Sequence, residues 1–196
     1  MVAVVGWMLL SGGDVPLIGG SSGPSSYSFD LAGNVQVSST SDTPPAQLGD
    51  VAQEAGDGVK ETMDELYFKA FVDQGSWGDY SDAFALFEAK AATRAEADSD
   101  VLTLGPTAGD EFEVLNPTSG TITISVLTNA KDAPVTAVAE VEFLADATRT
   151  DGGTTEIAST GSFYLRRVDG TWRIFAYDVD RDDTAAPAPS PAGSPS

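Results

Sequence analysis

Along this chain the apolar positions recur first every three or four residues and then every second residue, and the change falls near Glu111. In the first regime Val59, Met63, Leu66, Tyr67, Ala70 and Phe71 stand at i, i+4, i+7, i+8, i+11 and i+12, one stripe of an amphipathic helix. Asp50-Val-Ala-Gln53 has the spacing of a capping box and sets the expected start of that helix. Gly56 and Gly58 weaken its first turns by about 1 kcal/mol each, so the firm part is expected over Val59 to Asp73. Gln74-Gly-Ser-Trp-Gly78 breaks the pattern. A second helical stretch from about Tyr80 to Ala97 carries Ala83, Phe84, Phe87 and Ala91 on one side, as one helix or two short ones.

In the second regime Ile122, Ile124 and Val126 alternate with Thr and Ser, and Val135, Ala137, Ala139, Val141 and Phe143 form a longer alternating run. Ile157 leads into Phe163 and Leu165. Asn129 to Pro134 and Ala145 to Gly153 are the intervening turns. The clearest single feature is the last hairpin, Gly161 to Asp180, whose two strands flank Asp169-Gly170, a dipeptide suited to a two-residue type I′ turn with positive φ at both centres. Simple antiparallel pairing from that turn places Val168 opposite Thr171, Leu165 opposite Ile174 and Phe163 opposite Ala176. One face then carries Phe163, Leu165, Trp172, Ile174 and Ala176, with Asp178 at its far end. The other carries Tyr164, Phe175, Tyr177 and Val179. Helices followed by a meander of four antiparallel strands predict an α+β fold, with two or three N-terminal helices packed on a curved four- to five-stranded antiparallel sheet.

The ends differ in composition from this middle. Residues 1–18 open with an apolar run, Met1 to Leu10, too short to cross a bilayer, which takes about 20 residues. It lacks the basic start of a signal peptide, the first basic residue being Lys60. It reads as part of a signal anchor whose basic start lies upstream, as a minimal anchor, or as a sticky segment. Residues 19–49 are rich in Gly, Ser and Pro and read as a linker. Within them Tyr27, Phe29 and Leu31, then Val35 and Val37, alternate, which suits either a short strand or hairpin or a loose linker patch. Residues 184–196, with four prolines, read as a disordered tail. The folded domain is therefore expected over residues 50–183.

Charge and missing residue types narrow the chemistry. Thirty acidic residues against 10 basic ones give a formal net charge of -20, which repels nucleic acid. Histidine and cysteine are both absent, which excludes disulfides, thiolate nucleophiles, histidine bases and the usual zinc sites. No cofactor is implied. Asp178-Val-Asp-Arg-Asp-Asp183 is not a calcium loop, because the sixth-position Gly and the twelfth-position Glu are missing. Arg166, Arg167 and Arg173 form the one basic cluster, expected to pair locally with Glu140 and Glu142.

The order of elements and the closing Leu165-Arg-Arg-Val-Asp169-Gly170-Thr-Trp172-Arg-Ile174 hairpin resemble the NTF2-like superfamily, the SnoaL-related and cystatin-related α+β cones. The likeness is to the membrane-anchored NTF2-like and Mce-associated-type proteins of actinobacteria in particular, and covers about Asp50 to Asp183. It implies a sheet curled around a cavity, lined here by Tyr67, Phe71, Phe163, Leu165, Trp172 and Ile174, and an open sheet face that often forms a homodimer. Enzymes of the superfamily, of the ketosteroid isomerase and polyketide cyclase types, use a cavity Asp or His beside a Tyr. With no histidine, the catalytic candidates are Asp178 with Tyr67 or Tyr80.

Three functions are therefore expected to compete. The first is a non-enzymatic, envelope-associated module, membrane-associated or extracytoplasmic, that binds a partner protein or a small apolar ligand. The second is a small-molecule isomerase or cyclase using Asp178, which requires an inward-facing Asp178 beside an apolar cavity of about 300 Å³ or more and admits a cytoplasmic location. The third is a structural homodimer.

Overall fold

The computed structural model describes residues 23–185. The apolar run at Met1 to Leu10 and the Pro/Ala/Ser tail beyond Ala185 lie outside the described residues. The fold is α+β, with a few helices on a mixed sheet. Strands β1 (Asp30–Leu31) and β2 (Gln36–Ser39) precede helix α1 (Gly49–Tyr67), which closes in a π-turn, Phe68–Val72. Short helices α2 (Ser81–Phe84), α3 (Ala89–Ala97), α4 (Ser99–Leu102) and α5 (Ala108–Glu111) follow. The long strands come last: β3 (Phe112–Thr128), β4 (Pro134–Arg149), β5 (Thr154–Val168) and β6 (Thr171–Ala185).

The four long strands run antiparallel in chain order, while β1 and β2 both pair with β3 in parallel, so the six-stranded sheet is mixed rather than wholly antiparallel. Of the alternatives for residues 27–37, the chain adopts short strands, joined to β3 rather than to each other. Two glycines make room for this N-terminal segment. A Cβ on Gly120 would lie 1.8 Å from the Tyr27 hydroxyl, and one on Gly56 would lie 2.4 Å from a Val35 methyl. Asp64 fastens the segment from below, accepting from the Ser28 hydroxyl at 2.8 Å and the Phe29 amide at 2.9 Å. Asp132, at φ 61°, accepts from Thr43 at 2.9 Å and from the Ser41 hydroxyl beyond the end of β2, and those bonds hold its carboxyl below the usual carboxylate range.

Helix α1 begins one residue before the expected capping box. Leu48 is its N-cap and makes no side-chain cap bond, so the Asp50–Gln53 box does not form. The helix is continuous through Gly56 and Gly58, where the absence of a Cβ lets Val35 and Trp172 pack against the backbone. The helix-propensity cost is thus offset by packing. The second helical stretch is two helices. The backbone between them adds to the edge of β6 instead: Ile174 donates to Leu86 at 3.1 Å and Glu88 donates to Ile174 at 2.8 Å. At the C-terminal end β6 reaches Ala185, two residues into the stretch read as tail.

The core lies between the helices and one face of the sheet. Tyr67 packs edge-on to Phe29 at 4.9 Å, stacks on Phe71 at 5.3 Å and tilts against Phe143 at 5.3 Å. Burying each such aromatic side chain contributes about 1.5–3 kcal/mol.

The closing hairpin forms its type I′ turn, with φ 52° at Asp169 and 86° at Gly170. Val168 faces Thr171 and Leu165 faces Ile174 as expected, but a bulge at Phe175 then shifts the register, so that Tyr164 faces Ala176 and Phe163 faces Tyr177. The extra residue exchanges the two faces of β6 beyond that point. Tyr177 is buried and Val179 half-buried on the core side, and Asp178 is exposed on the other.

Candidate functional site

All six residues expected to line a cavity do come together, in one buried cluster on the core side of the sheet. The space between them is filled. Tyr67, Phe71, Phe163, Leu165 and Ile174 are each at most 1 % exposed, and Tyr67 packs against Phe163 with ring centres 6.1 Å apart. Trp172 alone of the six also borders a solvent-open groove, of about 430 Å³, with Gly58, Glu61, Thr62, Glu65, Leu86 and Arg173.

The catalytic candidates do not meet. Tyr67 shares a hydrogen bond of 3.0 Å with buried Ser159, and burial pushes its phenol well above the usual range. The Tyr80 hydroxyl donates to the Gly105 carbonyl at 3.0 Å, holding a loop, and burial raises its pKa as well. Asp178 stands opposite Ser162 on the outer face, with the sheet between it and Tyr67. The expectation that Asp178 shares a face with Trp172 and Ile174 fails because the bulge at Phe175 reverses the alternation. Placed there, Asp178 cannot reach a substrate atom held beside Tyr67.

The basic cluster also pairs differently from expectation. Arg166 and Arg173 do face each other across β5 and β6. Arg166, however, reaches Glu88 and lies over the Phe175 ring at 5.4 Å, and Arg173 donates to the Ala85 carbonyl. Neither arginine pairs with Glu140 or Glu142, which lie on rows further along the sheet. The bidentate bond from Arg166 holds the Glu88 carboxyl below its usual range.

The outer face of the sheet, which no described helix covers, has its own order. Reading across the strands, one row is Thr123, Glu140, Ser162, Asp178 and the next is Thr121, Glu142, Thr160, Asp180. Hydroxyl columns on β3 and β5 thus alternate with carboxylate columns on β4 and β6. These hydroxyl columns and the β4 carboxylates line a shallow hollow of about 440 Å³, floored at Gly161. A Cβ at Gly161 would lie 2.3 Å from the Asp178 carbonyl, so β5 and β6 approach there as only glycine permits. Among the described residues no ion pair reaches Glu140, Glu142, Asp178 or Asp180. Toward the hairpin turn the same face presents Tyr164 and Phe175, ring centres 6.4 Å apart, with Val138 beside them.

The acidic order of this face escaped the reading of the sequence, although the open face itself did not. Glu140/Glu142 and Thr160/Ser162 are visible at period two, but Asp178 and Asp180 join them only after the bulge. Among the described residues no group of three carboxylates converges as a metal site, and no helix is long and apolar enough to cross a membrane. Comparison of the chain with protein-family models, curated proteins and solved structures gives no match.

Proposed function

We propose that this chain is a non-enzymatic, NTF2-like binding module that engages a partner protein through the outer face of its sheet. The carrying observation is the contrast between an interior filled by Tyr67, Phe71 and Phe163 and an outer face that no described helix covers. A small apolar ligand would have to displace packed aromatic rings, at a cost of several kcal/mol. The long antiparallel meander β3 to β6 behind α1 supports the cone-like topology, and the Asp169-Gly170 hairpin is the part of the chain most like that superfamily. Association with the cell envelope through the apolar run Met1 to Leu10 belongs to the same reading, and fractionation of the native protein tests it.

Because the chain has no cysteine, Ser162→Cys places a single thiol at the middle of the outer face. A thiol-tethered photocrosslinker there should yield a discrete adduct with another protein in the native cell, and the same label at Glu61→Cys, on α1, should not. Equal labelling from both positions, or none from Ser162→Cys, overturns the reading.

A further inference from the structure

We infer that the partner of the outer face is a basic, amphipathic protein segment, its cations over the Glu140/Glu142 and Asp178/Asp180 columns and its apolar residues on Tyr164 and Phe175. This rests on the reading just proposed and adds the partner's chemistry. The four carboxylates are exposed, lie on adjoining rows and have no cation within pairing distance among the described residues. Each has only Thr or Ser as its described cross-strand neighbour, so no ion pair within the described fold calls for these charges there.

Their spacing suits an extended basic surface better than a single ion. The β4 and β6 columns are two strand spacings apart, about 9–10 Å. Two turns of a helix laid across the strands rise about 11 Å, so lysines or arginines seven residues apart would reach both columns. The aromatic pair on the same face, with the Arg166 guanidinium over one side of Phe175, gives such a segment a place for an apolar residue beside Tyr164, and the hydroxyls of Ser162 and Thr160 sit between the carboxylates as further acceptors. A second copy of the chain fits poorly, because an isologous contact would set these acids against themselves on chains of formal charge -20.

The test titrates an amphipathic lysine/leucine peptide into the full chain at low salt and follows backbone amide shifts. The face variant is Glu140→Gln, Glu142→Gln, Asp178→Asn and Asp180→Asn together. A control of equal charge change neutralises exposed Asp50, Glu54, Glu96 and Asp110. The shifts should map to the outer face of β4 to β6. The face variant should weaken binding about tenfold, as four exposed pairs together imply, and the control should stay near wild type. Equal weakening in both variants means attraction by net charge only and overturns the inference. So do shifts on the helical side, or light scattering that finds the wild type paired through this face. If instead the Ser162→Cys adduct forms in the native cell but is unchanged in the face variant, the face binds a protein without using its charge. The inference then fails while the proposed function stands.

Discussion

Phe143 and Glu142 are neighbours on β4, yet they live under different constraints. Phe143 points to the helices, is fully buried, and meets Tyr67, Phe71 and Tyr27 at ring distances of 5.2–5.3 Å. Glu142 points the other way, between Thr121 and Thr160, into water. The same alternation holds along β5 with Phe163 inward and Ser162 outward. Inward residues are chosen by packing, so they report the fold and say little about activity. Outward residues are free of that constraint, so a non-random pattern among them, carboxylate columns beside hydroxyl columns, carries information about what the protein meets.

The sharpest way to break this contrast is to truncate across it. Phe143→Ala should lose about 3–5 kcal/mol of unfolding free energy, read by urea denaturation, because it empties the centre of the aromatic cluster. A loss below about 1 kcal/mol would mean the interior is looser than its packing implies. Next in size is Gly161→Ala on the line where the two faces meet. Its methyl would lie 2.3 Å from the Asp178 carbonyl, so β6 must shift, at about 1–3 kcal/mol, and the outer-face hollow with it.

The third prediction concerns alkaline pH. The Tyr67 phenol has a folded pKa raised above the ordinary 10.0 by burial, so the folded chain keeps a proton that the unfolded chain gives up. Its contribution is therefore fully present below pH 10 and is lost as pH rises above it, by up to about 1.4 kcal/mol per pH unit. Tyr67→Phe should flatten that alkaline limb in denaturation measured between neutral pH and pH 11. At neutral pH it should cost about 1–3 kcal/mol for the Ser159 hydroxyl left unpaired. An unchanged alkaline slope would place the loss on other tyrosines, such as Tyr27, which burial also raises.

The smallest effect is expected on the outer face. Glu140→Gln with Glu142→Gln should leave stability unchanged or raise it by about 0.5 kcal/mol at low salt, with the gain vanishing in high salt. A clear destabilisation would show that these carboxylates serve the fold, and would remove the argument that they await a partner.

Much of the inward architecture was legible because its signals are local. The stripe from Val59 to Phe71 and the alternation through Val141 and Phe143 need only the helix and strand periods. The Asp169-Gly170 turn needs only its own two residues. The six residues that the resemblance placed around a cavity lie in one buried cluster, but whether space remains between them depends on how Phe29 and Phe143 fill it. Phe29 arrives from a segment whose composition suggested a linker. The catalytic pairing of Asp178 with Tyr67 was misread for one reason: a single bulge at Phe175 reverses every later side chain, and no residue there announces it.

The sequence by itself thus determined the main helix, the four long strands after it, the closing turn, most of the inward aromatic residues and the acidic, histidine-free composition. Each follows from periodicity or composition within a few residues. Only the tertiary structure decided that the interior is full, that β1 and β2 add to β3 in parallel, and that Asp178 and Asp180 join Glu140 and Glu142 outside. The first two depend on where the segment carrying Phe29 packs against α1 and β3, and the last on the extra residue at Phe175, contacts between distant segments that no local pattern encodes.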